Sequence, residues 1–275
     1  AEYGWRDRRQ VSASATGTLG PVGLSMGGNW LKGDGYSVYS ERRGATERDG
    51  FEGQSANLRA KVALGSGFSA DAGTFYSRAE YGYDAYGADA AHRGSKRDAT
   101  GFANLRYASD DGRLTGRIGY GMTGTRRDSN DAAWGPYITH GRNERVEAQL
   151  SFAPVDQATI LIGGESEKSR FRDNYGSRDA TRMDSLFASL TLHPLKGLTV
   201  AGGVRHDDHR DFGQRTTVSA NAAWVLGEGT NAPILRASYG EGFKAPTLYQ
   251  LYTNTGLPVA LKPETAKSWD AGAEL

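Results

Sequence analysis

The sequence holds one tight group of metal-type ligands, His206-Asp207-Asp208-His209. Imidazole and carboxylate together suit transition metals. On an extended strand, however, residues three apart face opposite sides, so His206 and His209 do not converge on one ion. The tetrapeptide reads instead as a strand end with a short external loop. Phe243-Lys244-Ala245-Pro246 could be mistaken for a catalytic segment. Pro246 lacks a backbone donor, and the run is better read as the return of a loop to a strand. Ser, His and Asp are plentiful but unpatterned, with no G-x-S-x-G, H-E-x-x-H or G-x-x-x-x-G-K-[ST]. With no Cys in the chain, a disulfide scaffold, a thiolate zinc site and a Cys nucleophile are excluded. No enzyme is expected.

The elements that carry these residues show alternation of period two with Gly and aromatic residues, and no helical stripe. Val11 to Leu19 places apolar or small residues on odd positions and hydroxyls on even ones, Gly20-Pro21 breaks the run, and Val22, Leu24, Met26 and Trp30 continue on one face. The same hairpin unit recurs around Gly65-Ser66-Gly67, Ser109 to Gly112, Pro154 to Gln157, Pro194 to Gly197, and Gly227 to Asn231. Longer connections are expected near residues 33 to 53, 79 to 99, 125 to 142, 170 to 181 and 240 to 267. Strands of about 10 residues at about 3.3 Å each, tilted near 45°, cover a band of roughly 25 Å, which matches an outer-membrane hydrocarbon layer.

Composition bounds the rest. In 275 residues, 33 basic side chains balance 32 acidic ones, which argues against a nucleic-acid-binding surface. Hydrophobic residues make up 37%, lean for a thick core, and no run approaches the roughly 18 apolar residues of a spanning helix. A transmembrane β-barrel is compatible with both, because half of its strand residues face water. Ala1-Glu2-Tyr3-Gly4 shows no signal-peptide pattern, so the chain is expected to be cytoplasmic or a piece of something longer.

One face of the strands is apolar, with Trp30, Tyr107, Phe152, Trp224 and Tyr239 toward strand ends. The other carries Arg59, Lys61, Arg117, Glu147, Gln149, Glu165 and Arg205. Alternation alone fits either a soluble sandwich or a membrane barrel. Short turns on one side and long charged loops on the other favour the barrel.

Arg236-Ala-Ser-Tyr-Gly-Glu-Gly-Phe-Lys-Ala-Pro-Thr-Leu-Tyr-Gln-Leu-Tyr252, followed by Leu261-Lys-Pro-Glu264 and Ser268-Trp269, resembles the barrel of TonB-dependent outer-membrane transporters. Gly35-Tyr36, Asp49-Gly50-Phe51, Tyr83-Asp84-Ala85-Tyr86, Asp207-Asp208 and Phe212-Gly213 extend the similarity, nearest to the vitamin B12 (cobalamin) branch. The resemblance implies an all-β, antiparallel up-and-down transmembrane β-barrel. Residues 1–275 would form the central part of a single barrel domain, about 13 strands of an expected 22. Plug, TonB box and last strands would lie outside the chain, since Leu275 falls just past the long loop. It also implies loop-bound Ca²⁺, with Glu47, Asp49, Tyr83, Asp84 and Asp98 on the ligand motif. Ser37 and Ala45 depart from that motif, which reduces the charged ligands available. Thr139 matches a loop position that touches cobalamin in the family.

The expected function is therefore active uptake of cobalamin through a plugged barrel in the Gram-negative outer membrane. The inner-membrane TonB complex would supply the pull, with outer-membrane lipid and lipopolysaccharide as surroundings and a monomer as the assembly. The alternative cargo is a ferric siderophore, because the G-F-K-A-P-T-L segment is widely shared. A secreted soluble β adhesin and a passive porin are the readings from other classes.

Overall fold

The computed structural model describes residues 1–37, 39–85, 88–131, 135–229, 232–253 and 261–274. Fourteen strands follow one another: β1 (Glu2–Gly4), β2 (Arg8–Leu19), β3 (Val22–Tyr36), β4 (Asp49–Gly65), β5 (Phe68–Ala85), β6 (Ala88–Ala108), β7 (Leu114–Asp131), β8 (Gly135–Val155), β9 (Ala158–Asp173), β10 (Arg178–Leu195), β11 (Leu198–His209), β12 (Gly213–Val225), β13 (Ile234–Lys244) and β14 (Glu264–Glu274). A short helix, α1 (Leu248–Thr253), lies between β13 and β14. Sheet order equals chain order, each strand antiparallel to the next. This is the expected up-and-down meander. Its one strand beyond the expected 13 is the three-residue β1, too short for an alternation to be read.

The tight turns fall where the Gly and Pro signals place them. At the β4–β5 turn the requirement for Gly is strict: Gly67 has φ +79°, and a Cβ there would sit 2.1 Å from the Ala108 carbonyl oxygen. At the opposite end the structure corrects the sequence reading. Residues 79 to 99 and 125 to 142 are mostly strand, since β5 runs to Ala85, β6 starts at Ala88, β7 runs to Asp131 and β8 starts at Gly135. Only residues 174–177 separate β9 from β10. The reason is that backbone pairing continues past the lipid layer, whereas the apolar alternation that betrays a strand stops where both faces meet water. Tyr86, Asn231, Leu275 and the middle of the 240 to 267 connection lie outside the described residues.

The register sorts side chains onto two faces. One cross-strand row runs Lys61, Asp71, Asn104, Gly119, Glu147, Glu165, Ser185, Asp207, Arg215. The next row on the same face holds Arg106, Arg117, Gln149, Gly163, Phe187 and Arg205. Asp71, Ser185 and Asp207 are each only 4% exposed although the sheet is one layer thick, a crowding that marks the concave, inner face. The other face leaves Leu58 49%, Ile118 59%, Leu150 42% and Trp224 41% exposed, with no second protein layer over them among the described residues. A continuous apolar surface of this extent is stable only against lipid. The polar-in, apolar-out assignment therefore holds, and Arg59, Lys61, Arg117, Glu147, Gln149, Glu165 and Arg205 all carry inner parity.

Candidate functional site

Three carboxylates meet at the long-loop end of the wall. One oxygen from each of Glu47, Asp84 and Asp89 lies within 4.8 Å of the others. The loop backbone builds this group. Asp84 accepts from the Ala90 N–H at 2.9 Å, the Tyr39 N–H at 2.6 Å and the Ser37 hydroxyl at 3.2 Å. Asp89 accepts from the N–H and hydroxyl of Thr46 at 2.7 and 2.8 Å, through one oxygen. Its other oxygen is buried with no hydrogen-bond partner among the described residues. Burial pushes the Glu47 carboxyl above its ordinary value, and Asp49, Asp89 and Asp84 add to the rise while Arg93 opposes it. A hard cation with oxygen ligands is the species that relieves such repulsion. Gly35, with φ +66°, sets the close approach: a Cβ there would fall 1.9 Å from the Asp49 carbonyl oxygen.

Below the loops the inner face is a lattice of ion pairs. Asp71 binds Arg59 at 2.9 Å and Arg106 at 3.0 Å. Arg117 pairs with Glu147, and Arg205 bridges Glu165 and Asp207 while donating to the Ser185 hydroxyl. Glu147 faces Glu165 directly and Arg106 faces Arg117 directly. Like charges opposite one another are unfavourable, so the acid row and the base row stabilise each other diagonally.

Helix α1 folds over this face. Thr247 caps it reciprocally: its hydroxyl accepts from the Gln250 N–H at 3.2 Å, and its own N–H donates to the Gln250 side chain at 2.9 Å. Leu248 is buried, and Tyr249 meets Phe171 edge-on with ring centroids 6.0 Å apart. The lysine of Phe243-Lys244-Ala245-Pro246 thus ends a strand, and Pro246 leads into the helix. Under α1 is a cavity of about 580 Å³ whose wall includes Asn143, Ser169, Thr181, Arg205, His209 and Lys244.

A 14-strand up-and-down wall with an aqueous, ion-paired inside and a bare apolar outside is the architecture of an outer-membrane barrel. A family model for TonB dependent receptor-like β-barrels matches residues 3–275. The chain belongs to this family.

Among solved structures, the siderophore receptor PirA from Pseudomonas aeruginosa is 19% identical, with TM-score 0.78, covering 97% of this chain and 49% of that one. PirA from Acinetobacter baumannii is 16% identical, with TM-score 0.80, covering 96% and 47%. A mutant of the ferric enterobactin receptor PfeA from Pseudomonas aeruginosa is 18% identical, with TM-score 0.74, covering 88% and 42%. The chain spans about half the length of the structures it matches. At these identities the likeness is one of fold. The relatives named here are siderophore receptors, and none is a cobalamin transporter.

Within this TonB-dependent receptor wall the sequence-derived site residues separate. Glu47 and Asp84 converge, and buried Asp49 lies close enough to raise Glu47. Tyr83 stacks on His92, rings 5.4 Å apart. Asp98 is elsewhere: it bonds Lys96 at 2.9 Å and Thr125 at 2.7 Å on β6, six residues beyond His92, about 20 Å along the strand. Ser37, a departure from the ligand motif, orients Asp84 through its hydroxyl. Asp89 was missed by sequence reasoning, and its only sequence signal is an acid five residues after Asp84 across a hairpin. Thr139, on β8, sits opposite Arg127 and Asp173 with inner-face parity. His206 and His209 face opposite sides as expected. His206 shares a hydrogen bond with Thr216 at 2.8 Å, while His209 is buried against Phe212.

Proposed function

We propose that this wall belongs to a TonB-dependent receptor that takes up a ferric siderophore across the outer membrane. The likeness over nearly the whole chain to proteins named as siderophore receptors carries the choice of cargo over cobalamin. The inner face is consistent with it: the cavity under α1 has the Ser169 hydroxyl and the Lys244 ammonium in its wall, donors suited to an oxygen-rich chelate. Thr139, higher on the same face, would contact cargo during entry. Uptake against a gradient requires energy from across the periplasm, so a plug and the TonB complex complete the machine.

Equilibrium binding by the full-length receptor, followed by tryptophan fluorescence, tests the cargo. Submicromolar affinity for at least one ferric siderophore and none for cyanocobalamin is expected. The reverse pattern would restore the cobalamin reading.

We also propose that the Glu47, Asp84 and Asp89 group, with Asp49 beside it, holds a Ca²⁺-class cation that fixes the two loop regions to each other. The clustered carboxylates and the unsatisfied Asp89 oxygen support this reading. The residues present fit an oxygen-ligand site, with backbone carbonyls or water completing the shell.

A further inference from the structure

We infer, resting on the siderophore reading above, that the cavity under α1 selects an uncharged ferric trihydroxamate over a triply anionic ferric triscatecholate, with His209 as a donor that orients it. Every charged side chain in the cavity wall already has its counter-charge. Glu167 takes Arg145 at 2.7 Å and the Asn143 amide at 2.8 Å. Arg205 spans Glu165 and Asp207, and Asp207 also accepts from the Ser185 hydroxyl at 2.6 Å. Arg142 and Arg170, neighbours across β8 and β9 with outward parity, both meet Glu144, at 2.9 and 3.0 Å. Lys244 is held most loosely, with Glu264 3.9 Å away.

That balance discriminates between chelates by charge. Three dianionic catecholate rings on Fe³⁺ leave a triple negative charge, whereas three hydroxamates balance the ion. Desolvating the triple charge against a wall with one loosely held lysine leaves it largely unpaired, a cost that a neutral chelate does not meet. Selectivity then comes from the cations that the wall withholds.

Donors for a neutral, oxygen-rich guest are in place. His209 is only 6% exposed, at the end of β11 in the wall of the cavity. Its Nδ1 accepts from the Asp211 N–H at 3.2 Å, which leaves the ring neutral with its proton on Nε2. Among the described residues nothing accepts that Nε2–H. Ser169 accepts from the Asn143 amide at 3.0 Å, and its own hydroxyl proton likewise has no acceptor among them. A buried donor left in this state favours a guest that brings an oxygen to it. Hydroxamate and amide carbonyl oxygens do so without bringing charge. Phe171, Met183 and Leu248 supply the apolar part of the wall, against which the alkyl arms between hydroxamates pack.

Fluorescence titration of the full-length receptor tests this with ferrichrome, a neutral ferric trihydroxamate, with ferric enterobactin, a triscatecholate, and with cyanocobalamin. Wild type is expected to bind ferrichrome at least tenfold more tightly than ferric enterobactin. Glu167→Gln removes one negative charge from the wall and releases Arg145, so the preference should narrow several-fold. His209→Phe should weaken ferrichrome binding several-fold, and His209→Gln, which keeps an N–H donor, should recover most of it. A smaller or reversed preference in wild type would overturn the charge selection while leaving siderophore uptake standing, whether or not any variant folds. Binding of cyanocobalamin alone would overturn the siderophore reading as well. Ferrichrome affinity unchanged in His209→Phe would remove His209 from the contact.

Discussion

Asp71 shows how much one inner-face side chain holds in place. It is almost wholly buried, yet its partners Arg59 and Arg106 are roughly half exposed to the lumen, so water screens part of what the ion pairs contribute. Asp71→Ala would leave two cations and Asn104 without their common acceptor. A cost of about 1–2 kcal/mol is expected. In contrast, breaking the exposed turn pair Arg113 and Asp156 should cost close to nothing. Urea titration of the full-length receptor folded in vesicles measures both. At the loop cluster the sign of the pH effect follows from Glu47. Its carboxyl is raised by burial and by three acidic neighbours, so without a cation the folded loops hold a proton more tightly than the unfolded chain does. Loop stability without cation should therefore fall as pH rises through that raised value. Cation affinity should run the other way, weakening on acidification at a higher pH than an unperturbed carboxylate would give. Calorimetric Ca²⁺ titrations between pH 5 and 8 would show it, and Glu47→Gln should bind several-fold more weakly with a flatter pH profile. A pH-independent affinity in the unmodified receptor would remove Glu47 from the ligand set.

At the scale of elements, turns and the helix decide register and access. Gly67→Ala must displace the Ala108 carbonyl as well as accept a positive φ, whereas Gly112, also at positive φ, has nothing within 4 Å of an added Cβ. Gly112→Ala should cost about 1 kcal/mol, and Gly67→Ala clearly more, with the difference measured in the same urea titration. Removing the cap with Thr247→Ala should weaken α1 by about 1 kcal/mol. Hydrogen exchange across residues 248–253 would register the change while leaving β9 protected. The strands themselves were legible only where they cross lipid. Leu58, Ala60 and Val62 alternate with Arg59 and Lys61, but no such contrast exists in Glu80 to Asp84 or Arg126 to Asn130, where both faces are wet. Those stretches are strand because their partners are already in register, a property of the pairing and not of their composition.

For the whole molecule the deciding fact is that its apolar side has no protein partner. Ile118→Arg places a charge on the lipid face and should cost about 2–4 kcal/mol near the bilayer midplane, whereas Gln149→Lys on the inner face should cost under about 1 kcal/mol. Folding yields into phospholipid vesicles separate the two. By itself, the sequence determined that the chain is a meander of antiparallel strands with one greasy and one charged face, because a period of two and Gly-marked turns are local properties. It also grouped Glu47 with Asp84, through resemblance, although Asp84 proves to end strand β5. Only the tertiary structure brought Asp89 beside them and set Asp98 against Lys96 and Thr125, because that depends on which segments meet after β4, β5 and β6 are in register. The same register seated Ser169, His209 and Lys244 in the wall of one cavity, although they belong to three strands far apart in sequence.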